Sequence, residues 1–476
     1  MDKERYIVAV DLGSSKISLC VADVDGGNAD MLYYKEVPSE GIARSSVQNV
    51  RHAGEVLKKL VADAENELGI KITQAVTGLP KYYIRQESAQ EKRDRSDDDE
   101  INEEEIKGLM EIAKSNIGID DESGETIYGA VAQSYSDGED FQVTEHDIIG
   151  RFSKVLEGNF KIFIGKKSYV SNIDKVFNAA GISAIRKYFT ADTTAKAVLD
   201  YSEMENGVAL IDFGGGAVSV SVYQKGIMRH YAAIPFGGRS ITSDINKECA
   251  ISERLAENIK KGYGVSGIEN LQNLSEKELQ IQSGSADPDK RIAVKYICEI
   301  VTARMNEIAQ AILYEIEKSG FADMLRSGLV ITGGGVELCG CCNTFQNLSG
   351  YSARVGYPKA KFRASSCNGI RNTSAAVCAG LILEASSEHK LDCAQPGEFI
   401  HKAPEVKIEE PVEEKPAENL FGEPVNVEKK PEKKRSGGLF GRKKKVKEEE
   451  DEGPSLWDHV SSMIGDIMDP DKEEEN

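Results

Sequence analysis

Gly207-Val208-Ala209-Leu210-Ile211-Asp212-Phe213-Gly214-Gly215-Gly216 is the stretch whose reading decides the fold. An apolar run of strand length ends in a carboxylate and then in three glycines. Val218, Val220 and Val222 next alternate with Ser219 and Ser221, which predicts a half-buried strand after a tight turn. A Lys225-Gly226 turn leads into a third strand over residues 227–234. Turns without Cβ atoms let backbone N–H groups approach an anion closely, which suits phosphates. The aspartate cannot bind phosphate itself, but a carboxylate can hold Mg²⁺ or the waters around it.

One such hairpin is commonplace, and the repetition gives it weight. Tyr6-Ile7-Val8-Ala9-Val10-Asp11-Leu12-Gly13-Ser14-Ser15-Lys16 has the same apolar run and the same Asp-x-Gly. Ile17, Leu19 and Val21 alternate after it, and the chain turns at Gly26-Gly27 before a return strand over 31–37. Asp11 and Asp212 lie about two hundred residues apart, one in each half of a duplicated fold. Leu329-Val330-Ile331-Thr332-Gly333-Gly334-Gly335 is a third strand ending in a glycine turn.

In these three segments the chain resembles the actin-like ATPase superfamily, with its actins, 70-kDa chaperones and sugar kinases. The resemblance implies an α/β, ribonuclease H-like duplicated fold whose two halves enclose a cleft for ATP and Mg²⁺. Asp11 and Asp212 would serve Mg²⁺ through water. Gly13, Ser14, Ser15, Lys16, Gly214, Gly215 and Gly216 would hold the phosphates. Gly333, Gly334, Gly335 and Val336 would lie against the adenosine, and Gly237-Gly238 near the nucleotide. Glu257 and Lys260, three apart on a helix over 252–263, match a pair that reaches ribose and adenine in some relatives. They equally describe a solvated ion-pair face. Asp192, at the start of a helix from residue 191, matches a position that orients attacking water, and is equally an N-cap.

Composition sets limits. The 476 residues exceed one simple core, and 40% apolar content suggests folded domains with a polar tail. A formal charge of −20 argues against general nucleic-acid binding. Residues 1–5 lead straight into a strand, and no apolar run reaches spanning length, so a cytosolic protein is expected. Nine irregularly spaced cysteines read as reduced thiols. Cys339, Cys341 and Cys342 cluster without a second group at ligand spacing, and read as small buried residues.

The order of elements narrows the branch. A helix is predicted over 47–68, with Val50, Leu57, Leu60, Val61, Ala64 and Leu68 as its stripe. Actin and chaperone relatives place a whole subdomain before that helix, and here there is no room for it. Spare material follows a strand over 72–78 instead. Residues 85–166 open with the charged run 91–105 and a helix continuing to about 115, and then show strand-like runs at 125–135, 141–144 and 159–164. This relocated insertion resembles the FtsA branch of bacterial cell-division proteins, where it is called subdomain 1C. The implied division is 1–85, 167–200 and 357–385 as subdomain 1A; 86–166 as 1C; 201–245 and 322–356 as 2A; and 246–321 as 2B. A helix over 171–180 stopped at Gly181, a polar, loop-rich 269–289, a long helix over 289–319 and a core helix over 372–385 complete the folded part. The resemblance implies docking of the FtsZ C-terminal peptide on 2B, other division proteins on 1C, and self-association into filaments.

From residue 386 to 454 the composition predicts a disordered linker, with basic residues dense over 429–447. Leu456, Trp457, Val460, Met463, Ile464, Ile467 and Met468 then fall on one side of a helix over 455–469. Such a stripe on a tether needs a partner outside the domain, either a membrane interface or a protein. Members of the FtsA branch end in a membrane-targeting helix. This one departs from them in carrying Asp458 and Asp466 on its polar face, so attraction to anionic lipid falls to Arg442-Lys443-Lys444-Lys445, each worth ~1 kcal/mol near the surface. The expectation is an ATP-binding protein that tethers FtsZ filaments to the cytoplasmic face of the cell membrane at the division septum, hydrolysing ATP slowly if at all. The alternatives are a pilus-assembly-type adaptor and a small-molecule kinase of the same superfamily.

Overall fold

Each Asp-x-Gly hairpin seeds a five-stranded sheet, and the two sheets repeat one plan. The computed structural model describes residues 5–25, 28–119, 123–267, 276–281, 290–359, 361–364 and 367–396. The first sheet has the order Ser183–Tyr188, Gln74–Gly78, Tyr6–Leu12, Lys16–Asp25, Asn28–Pro38. The second has Ala353–Val355, Leu329–Thr332, Val208–Phe213, Val218–Gln224, Ile227–Ile234. In both, the strand bearing the aspartate pairs antiparallel with its hairpin partner and parallel with a later strand. Central strands covered on both faces carry continuous apolar runs, as Ile7–Val10 and Val208–Ile211 do. The register sets Asp11 opposite Ser18 and Asp212 opposite Ser219, so the two carboxylates end equivalent strands.

The alternation at 218–222 predicts one covered face, and both are covered: Ser219 and Ser221 are buried along with the valines. The valines join the core of the second half. On the other face Tyr223 donates its hydroxyl to the Ala191 carbonyl at 3.3 Å, which brings the helix Thr190–Val198 against the sheet. Small serines permit that approach.

Helices stand close to their sequence bounds. Val50–Leu68 starts three residues late because Ser46–Val47 pairs with Ile42–Ala43, and Asn49 caps it by accepting from His52 N–H at 3.1 Å. Lys167–Ala180 ends at Gly181 in the left-handed region. Val294–Lys318 buries Ile297, Val301, Met305, Ile308, Ile312 and Ile316 along one side, each contributing about 1.5–3 kcal/mol of apolar burial. It starts late because Lys290–Ala293 pairs as a strand with Glu278–Ile281. Residues 269–275 and 282–289 of the predicted loop lie outside the described residues. The core helix is shorter than predicted, Ala376–Ser386, with 3₁₀ turns before it. Of the cysteine cluster, Cys341 is buried, Cys342 half-buried and Cys339 exposed.

Two features depart from the sequence expectation. Most of the charged run is a strand, Ile84–Glu100, and the helix that follows it runs from Glu103 to Ser115 behind an Asn102–Glu105 capping box. With Phe152–Lys166 at its centre and Glu125–Ser136 beyond, this strand builds a three-stranded sheet. Charges suit a strand at a sheet edge, where one flank and one face meet water. The chain also stays ordered beyond residue 386. Ala394–Pro396 pairs with Ile70–Ile72, Leu391 and Cys393 are buried, and Arg5 donates to the carbonyls of Ser386 and Glu388 at 2.9 and 2.7 Å. The linker and terminal-helix predictions for 397–476 lie outside the described residues. No helix among the described residues is long and apolar enough to cross a membrane.

Candidate functional site

The two glycine turns meet face to face. A Cβ on Gly215 would fall 2.0 Å from Ser15 Oγ, and one on Gly216 2.4 Å from Ser14 Oγ and 3.0 Å from the Arg44 nitrogen. Side chains at 215 and 216 are thereby excluded, and the backbone lies bare toward the other half. Ser14 is fixed by the Ser45 N–H, which donates to its Oγ at 2.9 Å. Gly237-Gly238 braces the second turn: Gly238 N–H donates to the Gly214 carbonyl at 3.1 Å and Arg239 N–H to the Gly215 carbonyl at 2.8 Å. Arg239 also reaches across to the Ser14 carbonyl at 3.0 Å.

Glu257 and Lys260 join this group. Lys260 Nζ donates to the Gly238 carbonyl at 3.0 Å, to Thr242 Oγ1 at 2.9 Å and to Glu257 Oε2 at 2.6 Å. Their side chains are 32% and 12% exposed, so the pair is not a solvated face. Burial lowers the Lys260 pKa. Burial pushes Glu257 upward, but the neighbouring ammonium outweighs it and the carboxyl ends below its ordinary value. The third turn closes against the same strand end: Gly333 has φ 88°, and a Cβ there would meet the Phe213 carbonyl at 2.6 Å and Asp212 Oδ1 at 2.8 Å. Gly334 begins a 3₁₀ turn that continues through Gly335 and the buried Val336 to Glu337.

Lys81, absent from the sequence reading, stands between the halves. Its Nζ lies 2.5 Å from Asp212 Oδ2, with the two side chains 13% and 9% exposed. Burial would pull the Lys81 ammonium down, but Asp212 and then Asp11 outweigh it, and its pKa is raised. Asp11 is pushed up by burial, with Lys81 opposing and Asp212 adding. Lys16 is held by Glu36 at 2.5 Å, which also accepts from Tyr34 at 2.9 Å and Ser374 at 3.3 Å. Lys81 follows directly on the end of the strand Gln74–Gly78 and its Leu79-Pro80 link. Carboxyl ends of parallel strands are where ligands of α/β sheets gather, and that was the signal available.

Asp192 belongs elsewhere. The helix Thr190–Val198 is entered through Phe189, and Asp192, its third residue, makes no N-cap bond. It lines a cavity of about 780 Å³ walled by the inserted sheet (Ala130, Gln133), the first half (Lys196, Glu384) and the second (Tyr223, Met228). Burial pushes its pKa up to about 6, with Lys196 opposing and Glu384 adding. The residue of this helix beside Asp11 is the buried Thr190, in a space of about 20 Å³ shared with Ser45 and Lys81. A third residue cannot face the same way as the first, because two helical steps turn the side chain through about 200°.

The groups present fit a metal-bound polyphosphate in kind: two carboxylates at facing strand ends, two lysines, and bare backbone on opposed turns. Because those turns touch, phosphates can lie between them only when the halves part.

Duplicated sheets meeting through Asp-x-Gly turns define an actin-like fold. The PilM of a PilM–PilN type IV pilus biogenesis complex shares it, with a TM-score of 0.58 at 13% identity over 80% of this chain and 98% of that one. A family profile described as cell division protein FtsA matches residues 209–380. The cell division protein FtsA of Neisseria meningitidis is 29% identical over 360 residues, 75% of this chain and 85% of the relative. That of Bacillus subtilis is 26% identical over 361 residues, 75% of this chain and 80% of the relative. Over three quarters of its length the chain is thus similar to the FtsA cell division proteins, and the family profile matches over a shorter span.

Proposed function

We propose that this protein binds ATP between its glycine turns, self-associates, and tethers FtsZ filaments to the cytoplasmic face of the membrane at the division septum. The observation that carries the reading is the pair of equivalent strand ends, Asp11 and Asp212, with the turns 13–16 and 214–216 apposed beyond them. Asp11 and Asp212 are the residues suited to Mg²⁺, through its waters. Gly13, Ser14, Ser15, Lys16 and Gly214–Gly216 are suited to the phosphates, with Gly237, Gly238, Glu257 and Lys260 behind them. Gly333 to Val336 back the adenosine. When bound, Mg²⁺ would neutralise phosphate charge; the chain's own part is to orient the nucleotide and exclude water around it.

Hydrolysis is slow on this reading. The helix that faces the small space beside Asp11 offers a threonine hydroxyl there, which can orient a water but is no base at neutral pH. Residues 246–321 would receive the FtsZ C-terminal peptide, and the inserted subdomain other division proteins. The 780 Å³ cavity, walled in part by that subdomain, supports the second assignment. Leu456, Trp457, Val460, Met463, Ile464, Ile467 and Met468 supply the membrane contact, making the protein peripheral.

Co-sedimentation of FtsZ with anionic liposomes, ATP and this protein tests the reading, using the full chain and one ending at Pro454. FtsZ should pellet only with the full chain. If this protein pellets while FtsZ stays in solution, the adaptor role is wrong. If neither pellets, the terminal helix docks on a protein instead.

A further inference from the structure

Lys81 is held too firmly to be a passing surface lysine. Its N–H donates to Ser45 Oγ at 3.0 Å, on the first half, and its carbonyl accepts from the Tyr231 hydroxyl at 2.7 Å, on the second. One residue earlier than Pro80, Leu79 N–H donates to the Tyr188 carbonyl at 2.8 Å. The backbone is thus pinned from both sides, and the side chain, which could carry its charge out to water, is turned inward onto Asp212. The charges that face it are Asp212 and Asp11, the two carboxylates suited to the metal. The other cleft lysine, Lys16, has its charge offset by Glu36.

Two carboxylates and one ammonium leave a single negative charge at this point, where the carboxylates alone would leave two. A divalent ion at such a site does two things: it neutralises the acids and presents positive charge to the phosphates. An ammonium fixed on the acid pair does part of both. We propose that Lys81 is a resident cation of the cleft, sharing Asp11 and Asp212 with the divalent ion, so that nucleotide binding depends on the metal only in part. The inference rests on the ATP-binding reading above.

The test is binding of a fluorescent ATP analogue to the full chain, in Mg²⁺ and in excess EDTA, read as the ratio of the two dissociation constants. For the unaltered chain EDTA should weaken binding by no more than roughly tenfold. For Lys81→Met the ratio should rise to about a hundredfold or more, the scale of one unit charge beside a phosphate. Lys81→Arg should restore the smaller ratio. A purely structural Lys81 would weaken both constants alike and leave the ratio unmoved, which overturns the inference. So does a loss of about a thousandfold in EDTA for the unaltered chain, a result needing no variant. Failure to bind in either buffer removes the ATP reading itself, and is thereby distinguished from failure of this inference alone.

Discussion

Replacing Asp192 by Asn should stabilise the protein at neutral pH, and the gain should vanish in acid. The carboxyl sits in the cavity between the inserted sheet and the two halves, and burial lifts its pKa from 3.8 to about 6. Above pH 6 the folded protein must hold the charge against that burial, whereas the unfolded chain holds it in water. About two pKa units at 1.36 kcal/mol each set a ceiling of about 3 kcal/mol, and partial contact with solvent brings the expectation to about 1–3 kcal/mol. The sign follows from linkage. Below pH 3.8 the group is protonated in both states and contributes nothing. As pH rises from 3.8 the unfolded carboxyl ionises first, so stability falls through the interval, and the full deficit stands above 6. Asn keeps the size and removes the charge. The difference in melting temperature between the variant and the unaltered chain, followed from pH 4 to pH 8, should open by a few degrees across that window. A difference that does not change with pH, or a variant less stable at pH 7.5, would refute the placement of Asp192 as a poorly solvated carboxyl.

Lys260→Met should loosen the Gly237-Gly238 brace, since it deletes bonds to the Gly238 carbonyl and Thr242 and leaves half-buried Glu257 with only the longer, 3.6 Å pairing to Lys261. Weakening of ATP-analogue binding by about tenfold, measured by titration, is the expected result. Gly380→Ala should destabilise the first half by about 1–3 kcal/mol, read as a lower melting temperature, because its Cβ would fall 2.1 Å from the Thr193 carbonyl oxygen and 3.0 Å from Thr194 N, backbone atoms that cannot swing aside.

Much of the frame could be read without coordinates because it is written locally. A continuous apolar run, an Asp-x-Gly and an alternating return strand need only neighbours in sequence, and both hairpins stand where that pattern puts them. The stripe of Val294–Lys318 is equally local. The strand Ile84–Glu100 is not. Its mostly polar residues become a strand because thirteen positions of the segment pair along Phe152–Lys166, more than fifty residues on. The ordered segment after Ser386 owes its place to Arg5, nearly four hundred residues earlier. Lys81 and Thr190 were missed for a related reason. Periodicity tells that a helix or strand exists, whereas which of its residues faces the cleft depends on how it is rotated against the other half.

That rotation gives the helix Thr190–Val198 two different surroundings. Thr190 looks toward Asp11 and Lys81, while Asp192 looks into the cavity that the inserted sheet helps to wall. The inserted sheet, for its part, is fastened to the second half as well as the first. Gln133 donates to the Met228 carbonyl at 3.0 Å, Arg229 donates to the Gln133 carbonyl at 2.8 Å, and Gln86 meets His230 at 2.9 Å. Tyr231 adds ring contacts with Phe163 and Phe189 beside its bond to Lys81. Phosphates between the turns require Gly215 and Gly216 to draw away from Ser15 and Ser14. A separation of the halves at that point must therefore either break the bonds along Met228–Tyr231 or carry the inserted sheet with the second half, and in both cases the walls of the cavity around Asp192 move.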